Sequence, residues 1–429
     1  MESGDQIDLD VTDVAHGGVF VGRHEGRVVF VPDAIPGERV RVRLTDVGKS
    51  SFWRGDVLEV MDASPHRRPH VWRQADIDVA PENRPGGADF GHIDLAEQRS
   101  LKLRVLGDAL QRFGGVEPSL AIQSAFAPGG AAAETEDGTG WRTRVSLHVD
   151  ADGHVGPYAS RSHRVIPIDR LPLATPEVER VALELKDGAP GRIDLVQPSD
   201  GRVRVLSRPE REGRARPPKT DHRKDPAREV VTERVGERAF RVDAGGFWQV
   251  HRLAANSLTS LVADALAGSV DPDAWHLDLY GGVGLFAATL GDLGGAATRV
   301  TSVESDPRAT EHAGENLAEW VGARAETGRV DRWISALAGS ASAAERERLS
   351  HGVVLLDPPR AGAGRAVVEG IAALSPQTVV YVACDPVALA RDIGTFRAAG
   401  YDLARMDAVD VFPNSHHVEA VATLGRADG

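Results

Sequence analysis

The apolar positions of the first sixty residues fall in short clusters separated by polar groups. The clusters are VFVG at 19–22, RVVFV at 27–31, RVRVRL at 39–44 and GDVLEV at 55–60. Turn formers lie between them: His16-Gly17-Gly18, Glu25-Gly26 and Ile35-Pro36-Gly37-Glu38. Short strands at even spacing predict a small closed β-barrel over residues 1–63. Residues 93–113 read as a helix, and 127–140 as a loop too polar and glycine-rich to pack. A strand is expected at 141–150, with a turn at Asp152-Gly153.

Beyond about residue 240 short apolar strands alternate with helical stretches. Strands are expected at 275–281, 299–305, 351–360, 379–386 and 419–424, and helices at 285–293 and from Pro307 to about 321. This alternation predicts an open, mostly parallel α/β sheet of the Rossmann-like kind. Such sheets bind ligands beyond the carboxyl ends of their strands. The chain therefore divides into a barrel (1–63), a central α+β segment (64–239) and an α/β domain (240–429).

Composition narrows the function. The 429 residues carry 63 acidic and 50 basic side chains, a net charge of −13. Five of the basic residues are lysine and the other 45 arginine. The acidic excess argues against nucleic-acid binding through bulk charge, but not against a local basic groove. Residues 201–230 hold 10 Arg/Lys against 5 Asp/Glu and read as an exposed basic connector, either a solvated linker or an RNA-contacting arm. A single cysteine excludes an internal disulfide and a cysteine-caged metal site. No run of 18 apolar residues predicts a membrane span, and the acidic start MESGDQIDLD is not a secretory signal, so a cytoplasmic protein is expected.

Chemistry-bearing residues collect at the predicted strand ends. Asp278-Leu-Tyr-Gly-Gly-Val-Gly284 closes one strand, and its glycines would let a ligand approach the backbone. Glu304 ends the next strand, 20 residues after Gly284, a spacing that suits a carboxylate on ribose hydroxyls. The dinucleotide pattern GxGxxG is absent, which favours an adenosine ligand without a pyrophosphate, such as S-adenosylmethionine. Asp357-Pro-Pro-Arg360 must leave the sheet, because proline cannot continue the ladder. Cys384 follows an apolar strand and precedes Asp385-Pro386, which puts its thiol at the ligand edge as a candidate nucleophile. Glu419 begins the last strand and is a candidate base.

Taken together these motifs resemble the tRNA/rRNA uracil-5-methyltransferase family. The matching segments are Gly246-Phe-Trp-Gln-Val-His251, Asp278 to Gly284, Glu304, Asp357-Pro-Pro-Arg-Ala-Gly362, Tyr381-Val-Ala-Cys-Asp-Pro386 with Leu389-Ala-Arg-Asp392, and Val409 to Glu419, in the family's order. Residues 1–63 resemble the TRAM domain, a small RNA-binding barrel, above all at Pro32-Asp-Ala-Ile-Pro-Gly-Glu38. The resemblance implies Cys384 as nucleophile and Glu419 as base. It implies that Gln249, Tyr280, Glu304 and Asp357 bind S-adenosyl-L-methionine. It implies methyl transfer to uridine C5 in tRNA or rRNA through a covalent Cys–C6 adduct, by a protein expected to be monomeric.

The chain departs from the family pattern at several places. Gly281-Gly282 replaces a Cys-Gly pair, Leu285 a frequent Asn, and Asn414 a Gln. The catalytic strand reads Ala383-Cys384-Asp385 with Ala388, where Ser-Cys-Asn and a Thr are usual. A carboxylate at 385 is expected to oppose thiolate formation. Pro85-Gly-Gly-Ala88 and Leu171-Pro172-Leu173 lack the cysteines that hold an iron–sulfur cluster in many members, so none is expected. Two alternatives stay open: an RNA-binding or chaperone protein that has lost catalysis, and a methyltransferase for another RNA base.

Overall fold

Polar and apolar residues alternate along β1 (Gln6–Ala15), which buries Ile7, Leu9 and Val11. Its register with the next strand slips between Val11 and Asp13, a bulge that breaks the alternation and hid this strand in the sequence. β2 (Val19–His24), β3 (Arg27–Val31), β4 (Arg39–Asp46) and β5 (Phe52–Asp62) follow. The five strands close a barrel in the order β1-β2-β3-β5-β4, as the turn spacing predicts. The computed structural model describes residues 1–129, 134–160, 162–186, 189–210 and 225–427.

The barrel core does not end at the barrel. Phe20, Val29 and Ile35 share one apolar cluster with Phe90, Ile93 and Leu101. Leu101 belongs to α1 (Leu95–Ala109), whose first turn is capped by the Asp94 carboxylate accepting from Glu97 N–H. A single π turn, Leu110–Gly114, prolongs it.

The central segment holds β6 (Ile122–Ser124), β7 (Arg144–Val149), β8 (Val155–Gly156), α2 (Pro176–Glu184), β9 (Gly191–Val196) and β10 (Arg204–Pro209). Four of its strands form a sheet in the order β10-β9-β7-β8, and β11 (Val230–Val235) pairs with β12 (Arg238–Asp243) as a hairpin. Of the expected basic connector, residues 211–224 lie outside the described residues, as do 130–133 of the expected loop. Ala88, Leu171 and Leu173, in the segments that lack the family's cysteines, pack with Trp72 and Ala75 in one apolar cluster.

The C-terminal domain runs α3 (Ala254–Leu266), β13 (Trp275–Leu279), α4 (Leu285–Gly294), β14 (Arg299–Glu304), α5 (Pro307–Asn316), β15 (Arg324–Thr327), α6 (Val330–Ser340), α7 (Ala343–Ser350), β16 (Val353–Leu356), α8 (Arg365–Leu374), β17 (Thr378–Ala383), α9 (Pro386–Ala398), β18 (Tyr401–Asp410) and β19 (Glu419–Arg426). The sheet order is β15-β14-β13-β16-β17-β19-β18-β6. β13 to β17 are parallel, as predicted, while β19 runs antiparallel between β17 and β18. α5 stops five residues short of the expected end. Asn316 there bonds out of the helix, donating Nδ2–H to the carbonyls of Val283 and Arg241. No helix among the described residues is long and apolar enough to cross a membrane.

One buried ion pair ties α1 to this sheet. Lys102 Nζ lies 2.6 Å from Asp410 Oδ1 and 2.9 Å from the Phe412 carbonyl, with both charged side chains wholly covered. Removing one partner strands the other charge away from water. Lys102→Ala is expected to lower stability by about 3–5 kcal/mol, read from urea unfolding. A loss below 1 kcal/mol would show that Arg99, whose Nε lies 3.4 Å from Asp410 Oδ2, supplies the counter-charge in its place.

Candidate functional site

The sheet topology brings the chemistry together. β13, β14, β16 and β17 all point their carboxyl ends the same way, placing Tyr280, Glu304, Asp357 and Cys384 along one edge. β19 runs the other way, so its first residue meets that edge. Ala383 pairs with Ala420, which sets Cys384 beside Glu419 one register step further. Neither a wholly parallel sheet nor a one-residue slip would do this.

A cleft of about 1090 Å³ opens over this edge. Its wall includes Gln249, Tyr280, Glu304, Asp357, Cys384 and Glu419. All six residues singled out from sequence thus share one cavity.

The glycine turn after β13 is shaped by close approach. A Cβ at Gly281 would stand 2.0 Å from Ser302 Oγ and 2.6 Å from Asp278 Oδ2. Gly282 has φ +54° and faces open space in the cleft. Glu304 Oε2 accepts from Gly282 N–H at 3.3 Å, and Oε1 from Asp306 N–H at 2.8 Å. Tyr280 holds φ +62°, a left-handed conformation that costs a non-glycine residue about 1–3 kcal/mol. Asp278 lies beneath the turn, wholly buried. It accepts from Ser302 Oγ and Ala287 N–H, and its Oδ1 has no partner. Burial pushes its carboxyl up to about 7.

The loop after β16 is clamped from below. Asp392 on α9 accepts from Ala363 N–H (2.7 Å), Gly364 N–H and Tyr381 O–H (2.7 Å). A Cβ at Gly362 would collide with that carboxylate, so the glycine is required. The clamp fixes the Asp357-Pro-Pro-Arg360 exit.

Desolvation dominates the electrostatics of this corner. Burial pushes the Cys384 thiol up to about 12, with Glu419 and Asp357 adding to the rise and Arg360 opposing it. Burial, then Asp357, holds the Glu419 carboxyl well above the usual range. Its Oε2 is buried with no partner. Asp357 is pushed up to about 7 by burial and then by Asp278. Each of these groups is thereby shifted toward its protonated form.

Asp385, next to Cys384, has partners of its own. Its Oδ1 accepts from Ala388 N–H at 2.8 Å, capping α9, and its Oδ2 lies 2.9 Å from His16 Nε2 of the barrel. After burial, the largest contributions to the raised thiol come from Glu419 and Asp357. The barrel loop also touches the far side of the site, since a Cβ at Gly18 would meet the His416 ring at 2.8 Å. Asn414 (φ +66°) is buried and bonded to Gln98, Arg68 and the Gly138 carbonyl, which anchors the loop before Glu419.

Sequence reasoning missed several cleft residues. Arg142 lies in a segment read only as a strand. Asp243 accepts from Arg308 and contacts His312 Nε2 at 2.7 Å, and all three line the cleft. No spacing signal links residues so far apart in the chain.

Comparison with known proteins agrees with this geometry. A TRAM-domain model matches residues 2–58, and a tRNA (Uracil-5-)-methyltransferase model matches 342–427. An uncharacterized RNA methyltransferase of Streptomyces avermitilis is 37% identical, covering 98% of both chains. One from Streptomyces coelicolor is 36% identical over 98% of this chain and 93% of that protein. The solved tRNA (uracil-54, C5)-methyltransferase of Pyrococcus abyssi, in complex with S-adenosyl-L-homocysteine, superposes with a TM-score of 0.68 at 21% identity, covering 97% of this chain and 99% of that one. The last likeness shows the shared fold. The chain belongs to the family of these RNA methyltransferases, and its C-terminal part matches the tRNA (Uracil-5-)-methyltransferase model.

A raised thiol has a direct readout, because Cys384 is the only cysteine. Alkylation by iodoacetamide in the free protein is expected to climb about tenfold per pH unit from pH 7 to pH 10 without levelling, since the thiolate is the nucleophile. Levelling between about pH 9 and pH 10 would show an ordinary thiol.

Proposed function

We propose that this chain methylates C5 of a uridine in tRNA or rRNA, with Cys384 as nucleophile, Glu419 as base and S-adenosyl-L-methionine as methyl donor. The observation that carries this reading is the register of β17 against β19, which sets the one thiol beside a buried carboxyl with an unpartnered oxygen. We further propose the division into 1–63, 64–239 and 240–429, with the barrel as an RNA-binding TRAM domain.

The residues fit an adenosine-bearing donor. Glu304 offers a carboxylate at the cleft wall beside the Gly282 turn, where no side chain fills the space. Gln249, Tyr280 and Asp357 line the same wall. When bound, the donor supplies an electrophilic methyl group. Cys384 Sγ forms a bond to uridine C6, which makes C5 nucleophilic. C5 then takes the methyl group, Glu419 removes the C5 proton, and the Cys384–C6 bond breaks to release the thiolate. Glu419 must be ionised at that step and Cys384 at the first. Arg360 opposes the rise of both, so it favours the ionised forms. The base must leave its stack to reach the thiol.

RNA containing 5-fluorouridine tests this reading, because the C5 fluorine cannot be removed by a base. Wild type is expected to form a complex that survives a denaturing gel and depends on S-adenosylmethionine, while Cys384→Ala forms none. Absence of the complex in wild type, with RNA still bound, would favour a family member that has lost uracil chemistry. Glu419→Gln is expected to trap methylated natural RNA on Cys384; wild-type turnover in that variant would remove Glu419 as base.

Glu304→Ala is expected to weaken S-adenosylmethionine binding tenfold or more. Charge-assisted hydrogen bonds to ribose hydroxyls are worth about 1.5–3 kcal/mol each. Unchanged affinity by calorimetry would take Glu304 out of the site.

A further inference from the structure

We infer that Arg142 is a receptor for a phosphodiester of the bound RNA, with Arg360 as the second cation of the same subsite. The inference rests on the RNA-methyltransferase reading above and adds a specific anion site to it.

Arg142 stands out by what it lacks. Its neighbour in sequence, Arg144, is matched by Glu233 at 3.1 Å. Arg308, in the same cleft, is matched by Asp243 and Glu311. Among the described residues Arg142 has no carboxylate partner. Its side chain donates Nε–H to the Arg144 carbonyl at 3.0 Å and lies 5.7 Å from the Trp141 ring centre. Arg142 is half-buried, and a guanidinium partly withdrawn from water without a counter-charge is retained where a ligand supplies the charge.

The backbone around Arg142 is fixed. Its N–H donates to the Leu173 carbonyl at 2.8 Å, and its carbonyl accepts from Thr175 N–H at 2.9 Å. It also bridges to His251 and Ala174. Burial lowers the Arg142 pKa, and the nearby Arg360 adds to that repulsion. Among the described residues the Arg360 side chain has one hydrogen-bond partner, His417, at 3.2 Å. Burial holds His417 down to about 3, so it stays neutral and offers no negative charge. Two guanidinium groups thus line one cleft, neither ion-paired to a carboxylate among the described residues.

The anion is a phosphate of the RNA. Arg360 is within electrostatic reach of Cys384 and Glu419 as well as Arg142, which puts the pair on the side of the nucleophile and base. The planar fork of arginine suits a phosphodiester, which it can bind through two parallel N–H donors. A phosphate gripped there would hold the backbone while the base enters the pocket.

The test uses a 12-nucleotide oligouridylate and its uncharged methylphosphonate analogue, with the full chain. Arg142→Ala is expected to weaken oligouridylate binding about tenfold and to reduce the salt slope of binding by about one. Binding of the methylphosphonate oligomer is expected to be the same in variant and wild type. Arg142→Lys is expected to recover part of the affinity and most of the salt slope. The melting temperature of Arg142→Ala is expected to be unchanged or raised, because an uncompensated charge is removed. An unchanged salt slope overturns the inference, and so does an equal loss with the uncharged oligomer. Weaker S-adenosylmethionine binding without RNA would assign Arg142 to the donor's carboxylate and also overturn it. Failure of the fluorouridine adduct with these binding results intact would instead sink the uracil chemistry alone.

Discussion

Desolvation at the carboxyl ends of the parallel strands is the constraint around which the site is built. Asp278, Asp357, Glu419 and Cys384 are crowded into one poorly hydrated corner, and each is pushed toward its uncharged form. Like charges in such a place cannot all ionise at once. Arg360 opposes that shift at Cys384 and Glu419.

The scaffold supplies the placement that such a site needs. Reversal of β19 costs the sheet a parallel pair but delivers Glu419 to the edge where Cys384 emerges. The Asp392 clamp and the left-handed Tyr280 hold the flanking turns at the same height. Strain at Tyr280 is sustained because both of its neighbours are fixed: Gly281 N–H donates to the Val303 carbonyl, and Asp357 N–H to that of Leu279. Lys102 and Asp410 then anchor the loop that carries the two histidines.

Much of this was legible in the sequence, for reasons that differ by element. The barrel could be read from turn residues, since glycine and proline mark φ requirements directly. The parallel strands could be read as short apolar runs, because both of their faces are buried. β1 was missed at its bulge, and β6 because three residues carry no period. The site residues were found by position at strand ends, with Gln249 added by family likeness alone. Arg142 escaped both routes: its significance lies in having no carboxylate partner among the described residues, and an absence across folded distance leaves no trace in spacing.

Asp385 shows how a local departure can keep its structural task while changing its neighbour. The helix cap on α9 needs a side-chain oxygen accepting from Ala388 N–H, and asparagine or aspartate supplies it equally well. Exchange of one for the other therefore leaves the turn after Cys384 intact. What the carboxylate adds is charge at its second oxygen, and that oxygen meets His16 of the barrel. The same loop presses Gly18 against His416, with no room for a Cβ. The barrel is thus fastened to the end of β17 at the residue following Cys384 and to the loop preceding Glu419. Its seat on α1, through Phe90 and Leu101, adds an apolar contact. An RNA segment held by the barrel would be aligned with the cleft by the residues that shape the cleft itself, so that binding and chemistry share one rigid frame.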